Sequence, residues 1–176
     1  MATRKQSNES FNVAFLQLHN LMGLMTKLEE WTYYHKAQVT YQQYLILIVV
    51  ESNKPPVSES VIAQRLQRNL NSISMIVDRM QKTGLLDRKW SEADRRKTEV
   101  KLTRKGKSML ERALKVGAEL RQQLGSGFKA EELEELTVLV TKLRNRVFTA
   151  LGQEVPSPED DQAVSEQVIR VYKRME

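Results

Sequence analysis

The sequence predicts a mainly helical chain carrying one small β-hairpin. Three observations predict it. Apolar residues recur at three- and four-residue spacing over most of the length, which marks helices with one buried face. That spacing stops once, at "WSEADRRKTEVKLTRKGK" (90–107), where "TEVKLT" alternates instead, and alternation is the period of a strand. The breaks fall at residues that end helices: "SNKPP" at 52–56, Gly84, and "GSG" at 125–127.

The elements follow in order. A first helix runs from Phe11 to about Lys36, its stripe built by Phe11, Ala14, Phe15, Leu18, Leu21, Met22, Met25 and Leu28. Thr40 is placed to cap a second helix through Val50. Its run "YLILIVV" is apolar nearly all round, which predicts deep burial; β-branched enrichment leaves a buried strand as the alternative. Ser58 caps a short third helix, with Glu59 at its positive end and Val61, Ile62 and Leu66 inward. "QRN" (67–69) makes a tight turn. Asn69 then caps a fourth helix, Leu70 to Thr83, which buries Ile73, Ile76, Val77 and Met80 before Gly84. "LLDRKW" (85–90) and "TEVKLT" (98–103) are two strands around "SEADRRK". A fifth helix runs from about Arg104 toward Leu124. A sixth, about Ala130 to Leu151, starts with Glu131, Glu132, Glu134 and Glu135 and ends with Lys142, Arg144 and Arg146, which matches the helix dipole. "GQEVPSPEDD" (152–161) is a linker and "AVSEQVIRVYKRME" (163–176) a candidate terminal helix. The regions are thus 1–40, 41–103, 104–151 and a tail, 152–176.

Composition narrows the function. A chain of 176 residues, 40% apolar and 28% charged, fits one soluble domain. With no cysteine, a disulfide framework, a thiolate zinc site and a thiol switch are excluded, and a reducing cytosol is suited. The basic start "MATRKQSNES" is followed by no apolar signal core. The run Tyr44–Val50 is too short to span a bilayer. A cytoplasmic protein without a membrane partner is expected. His19 and His35 lie sixteen apart with no ligand pattern around them, so no metal is expected. There is no Gly-rich phosphate loop, no HExxH and no nucleophile with a recognisable base, which argues against an enzyme or a cofactor. The net charge is +6, with a pI near 9.5. It is concentrated: residues 65–107 hold thirteen Lys and Arg against five Asp and Glu, a balance of +8. A basic middle between near-neutral flanks is the footprint of a phosphate-contacting module, although a solvated surface has the same composition.

Two short helices joined by a tight turn and followed by a hairpin are in winged helix-turn-helix order. Ala63 is small where the two helices cross, and Ile62, Leu66, Ile73 and Ile76 form the apolar wedge between them. The start of the second helix is then free to enter a DNA major groove. Its outward residues after the Asn69 cap are Asn71, Ser72 and Ser74, suited to base edges or phosphates, and Met75, suited to a thymine methyl. "ADRRK" puts Arg95, Arg96 and Lys97 at the tip of a β-ribbon, within reach of phosphates or a narrow minor groove. Asp94 is spaced to pair with Arg96 and stiffen that tip. The plainer alternative is the wet face of a surface helix and a charged, solubilising turn.

The order "LQRNLNSISMIVDRMQKTGLLDRKWSEADRRKTEVKLTRKG" resembles the multiple antibiotic resistance regulator (MarR) family of winged-helix proteins. The sharp motifs are "VDRMQKTGLLDR", "DRR" and V-K-L-T-x-K-G within about 58–106; the likeness in helix order covers about 10–150. The resemblance implies a bacterial transcription regulator that binds a pseudo-palindromic operator in double-stranded DNA as a homodimer. It makes Asn69 to Met75 the recognition segment, Arg96 the minor-groove probe, Asp94 its brace, and Arg95 and Lys97 phosphate contacts. Gln67 and Arg68 depart from the family's glycine and apolar residue in the turn, and Met75 stands where a polar or basic residue is usual. Residues 11–36 and 104–151 carry more apolar stripe than a small winged helix needs. In the family such flanking helices interlock into a dimerisation domain, which sets two recognition helices one DNA turn apart, about 34 Å. The family also binds small aromatic ligands, which makes Trp31, Tyr34, His35, Tyr41 and Tyr44 a candidate effector pocket; aromatic packing at a helix junction is the alternative. The rival to DNA binding is a protein-interaction module whose basic face docks an acidic partner.

Overall fold

The computed structural model describes residues 2–90, 98–157 and 171. Among these residues lie six α-helices that run in the predicted order and a two-stranded antiparallel hairpin. Helix α1 spans Ala2–Thr32 and passes into a wider π turn, Tyr33–Ala37. It begins nine residues before the predicted Phe11. The added segment has no apolar stripe, but Ala, Arg, Lys and Gln are good helix formers. Gln38 takes a left-handed conformation, φ 58°, and closes the turn.

Helix α2 spans Tyr41–Ser52. Thr40 opens it with a capping box: the Gln43 amide donates to its hydroxyl at 3.2 Å and the Thr40 amide donates to the Gln43 side chain at 3.0 Å. Tyr44 and Ile46 to Val50 are all buried, so the apolar run is a central helix and not a strand. Helix α3, Glu59–Arg65, is capped by Ser58, whose hydroxyl accepts from the Val61 amide. Helix α4, Leu70–Lys82, is capped by Asn69, whose side-chain oxygen accepts from the Asn71 amide at 2.8 Å. Between them the chain turns through Gln67, φ 50°, closed by the Arg68 amide on the Ala63 carbonyl at 2.9 Å. The turn therefore forms without a glycine, at the steric cost that a Cβ carries in left-handed geometry.

Strands β1, Leu86–Trp90, and β2, Thr98–Leu102, pair in antiparallel register, with Leu86 opposite Leu102 and Trp90 opposite Thr98. The Val100 amide donates to the Val57 carbonyl at 2.8 Å, which ties the hairpin to the segment before α3. Helix α5, Arg104–Gly125, starts at Thr103, whose hydroxyl accepts from the Gly106 amide and donates to the Gly84 carbonyl at 2.6 Å. Gly106 is required there: a Cβ on it would lie 2.0 Å from the Leu85 carbonyl oxygen. Helix α6 spans Ala130–Ala150. The candidate terminal helix lies outside the described residues except for Val171, which is buried in the core.

One core joins the pieces. It takes α2, the wedge Ile62, Ala63 and Ile73, then Val77, Met80, Leu85, Leu86 and Val100, and the inner face of α5. Leu66 and Ile76 of the predicted wedge pack against it half-buried. Helix α6 buries none of its residues. Phe15, Leu16 and Leu24 of α1 and Leu133, Val138 and Leu139 of α6 are all exposed.

Candidate nucleic-acid interface

Helix α4 lies on the body through Ile73, Val77 and Met80. That phase turns Asn71, Ser72 and Met75 to solvent, and Met75 is 58% exposed. Arg68 and Arg79 are exposed at the two ends of the same face, and with Ser72 and Met75 they line a cleft of about 480 Å³. Ser72, Met75 and Arg79 follow three- and four-residue steps along one side of α4, and Arg68 reaches the same cleft from the turn before the Asn69 cap. Two cations thus flank a short polar and apolar face. Ser72 and Met75 face outward as the sequence predicts; the two flanking arginines are not among the predicted residues, although helical spacing from Ser72 and Met75 marks Arg79.

Ser74 sits differently from its neighbours. It is half-buried, and its hydroxyl donates to the Glu59 carboxylate at the start of α3. Ser74 and Asp78, one turn apart, form the flank of α4 turned toward β1. The Arg88 guanidinium of β1 meets them there, pairing with Glu59 and, at 2.8 Å, with Asp78. Asp94, Arg95, Arg96 and Lys97 lie outside the described residues; Trp90 and Thr98 mark where the hairpin enters and leaves that segment.

The aromatic cluster splits by helix face. A cavity of about 400 Å³ opens where α1, α2, α3 and α5 meet. Tyr41 and Tyr44 line it, with Tyr33 between them: the Tyr33 ring stacks on Tyr44 at 4.2 Å and lies 5.4 Å from Tyr41. Trp31, Tyr34 and His35 do not line it. They occupy the other face of the helix end, where Trp31 and Tyr34 are 57% and 62% exposed and His35 packs against both rings. The cavity face is instead Met25, Glu29 and Tyr33, at four-residue steps. Arg65 from α3 and Arg121 from α5 add two cations to the lining. Gly117 makes the space: a Cβ there would fall 2.4 Å from the Tyr33 hydroxyl. Burial pushes the Glu29 carboxyl above the ordinary carboxylate range, and a hydrogen bond with Tyr41 draws it partly back. Among the described residues, no group of His, Cys, Asp or Glu has a metal-holding arrangement, and no helix is long and apolar enough to cross a membrane.

Residues 39–106 match the family model of the winged helix DNA-binding domain. Among solved structures, the chain is similar to a MarR/EmrR family transcriptional regulator from Acinetobacter sp. ADP1, with 23% identity and a TM-score of 0.68 over 78% of this chain and 96% of that one. It is also similar to Streptococcus pneumoniae FabT in complex with DNA, with 18% identity and a TM-score of 0.69 over 80% of this chain and 99% of that one. A third is the PcaV transcriptional regulator from Streptomyces coelicolor in complex with its natural ligand, with 20% identity and a TM-score of 0.61 over 70% and 89%. The chain has the fold of these regulators: a winged helix set between N- and C-terminal helices.

Proposed function

We propose that this chain is a MarR-type transcription regulator that binds a pseudo-palindromic operator as a homodimer, and that a small aromatic ligand modulates its grip. The observation that carries the reading is the exposed face of α4, Asn71, Ser72 and Met75, held between Arg68 and Arg79 on a winged helix. FabT, of the same fold, was solved on DNA. The wing cations Arg95, Arg96 and Lys97 remain the proposed companions of α4 on the duplex, with Asp94 as brace.

The dimer is supported by what α1 and α6 leave uncovered. Burying one large apolar side chain contributes about 1.5–3 kcal/mol, so a run of them in water favours any contact that covers it. A second copy carries the matching surface and gives a closed, symmetric pair. For the ligand, the support is the cavity among Tyr33, Tyr41 and Tyr44, which bridges α1 and α5 to the end of α3. PcaV was solved with a ligand. An occupant there would touch the dimer arms and the reading head together.

Selection of bound duplexes from a random pool, followed by fluorescence anisotropy over a salt series, tests the reading. The expected result is a palindromic consensus bound with strong salt dependence, as counterion release requires. Absence of salt-sensitive duplex binding at low ionic strength would overturn it and point to an acidic protein partner.

A further inference from the structure

One group of charged side chains lies off the exposed face of α4 and joins three elements. Glu59 is the first residue of α3, Ser74 and Asp78 belong to α4, and Arg88 belongs to β1. The Ser74 hydroxyl donates to one Glu59 carboxylate oxygen, and Arg88 Nη2 pairs with the other. The same Nη2 lies 2.8 Å from Asp78 Oδ1. By contrast, the pairs Lys89–Asp87 and Lys101–Glu99 each join residues of a single strand and tie nothing across the fold. The Glu59 and Arg88 side chains are 15% and 25% exposed, so water screens their pairing less than it screens a surface pair.

We propose that Glu59 and Arg88 are positioning residues for DNA recognition, which fix the roll of α4 on the body and lock β1 of the wing to it. This rests on the DNA-binding reading above. The apolar underside of α4 gives affinity for the core without direction, because apolar contact is non-directional. Ile73, Val77 and Met80 hold the helix down, and the polar chain on its flank adds a directional contact to theirs. A hydroxyl–carboxylate–guanidinium chain is directional and charge-assisted. Drawing Ser74 toward Glu59 fixes one side of the helix, and the stripe Ser72, Met75, Arg79 then faces outward at a set angle. Arg88 extends the same lock to β1, so the two parts that would meet DNA share one frame. Ser74 is thereby reassigned, from a base-contacting residue to one that holds the reader.

Electrostatics makes the proposal testable. Glu59→Gln removes a negative charge beside a surface that faces phosphates. On charge alone it would tighten DNA binding; as a positioning change it weakens it. Kd for the selected duplex and for random duplex is measured for each variant well below its melting temperature, where all are folded. Expected are a loss of about three- to tenfold for Glu59→Gln, about tenfold for Arg88→Met with a reduced ratio of selected to random affinity, and partial rescue by Arg88→Lys, which keeps the charge. Ser74→Ala weakens binding alone and adds nothing in the Glu59→Gln background, because both changes break one chain; a base-contacting Ser74 would add its full loss there. Parent-like or tighter binding by Glu59→Gln overturns this proposal alone. A parent that binds no duplex overturns the DNA reading and the proposal with it.

Discussion

The winged-helix body and the flanking helices use apolar residues of the same kind in opposite ways. In α2, Ile46 and Leu47 are fully buried, and Ile48, Val49 and Val50 nearly so. In α6, Leu133, Leu136, Val138, Leu139 and Val140 are 40–65% exposed. The body closes its core within one chain, whereas the arms carry the makings of a core and leave it open. If the proposed dimer covers the arms, their stability depends on protein concentration.

Leu47→Ala is the strongest way to test that contrast. It should cost about 2–5 kcal/mol, as for any fully buried leucine, read as a lower melting temperature than the parent's at the same protein concentration. Leu139→Glu should leave the secondary structure of the body intact and shift sedimentation from dimer to monomer. If Leu139→Glu sediments as the parent does, α6 is not in the interface and the contrast loses its meaning. On the proposed DNA face, Arg68→Ala and Arg79→Ala should each weaken binding similarly across sequences and reduce the salt slope by about one. A change confined to one base position would instead make either arginine a direct reader.

The same contrast explains what could be read from the sequence. Thr40, Ser58 and Asn69 are legible as caps because a cap is a local contact over three or four residues. The hairpin is legible because strand alternation breaks a helical pattern. Periodicity also finds α6, but an apolar stripe looks the same whether its core lies in its own chain or in another. The cavity was half legible. Tyr41 and Tyr44 line it, while Trp31, Tyr34 and His35 share the opposite face from Glu29 and Tyr33. Which face meets α5 depends on the missing side chain of Gly117, more than eighty positions away. Ser74 is outward by helical phase alone; Glu59, fifteen residues earlier, takes its hydroxyl.

Glu29 sits where body and arm meet, and its expected effect is smaller. Its folded carboxyl is raised, chiefly by burial, so the folded state binds the proton more tightly than the unfolded chain does. Ionising Glu29 therefore costs stability. That cost is fully present above the folded value and disappears as pH falls below the ordinary one. Glu29→Gln should accordingly gain melting temperature relative to the parent near neutral pH and lose that advantage in acid. A difference that does not vary with pH would mean that burial is not what the carboxyl feels.

The smallest effect concerns the turn that joins α3 to α4, where Gln67 holds φ 50°. A side chain in that geometry costs about 1–2 kcal/mol. Glycine relieves this but adds freedom to the unfolded chain, which costs about 0.5–1 kcal/mol. The two terms oppose, and the first is larger. Gln67→Gly should therefore raise stability by less than about 1 kcal/mol, measured by denaturant midpoint with an unchanged slope. The closing bond from the Arg68 amide to the Ala63 carbonyl is main-chain, so it survives the change. DNA affinity should stay within about twofold if the turn only connects the helices. A loss of stability would show instead that the Gln67 side chain holds the turn in place of the glycine it replaces.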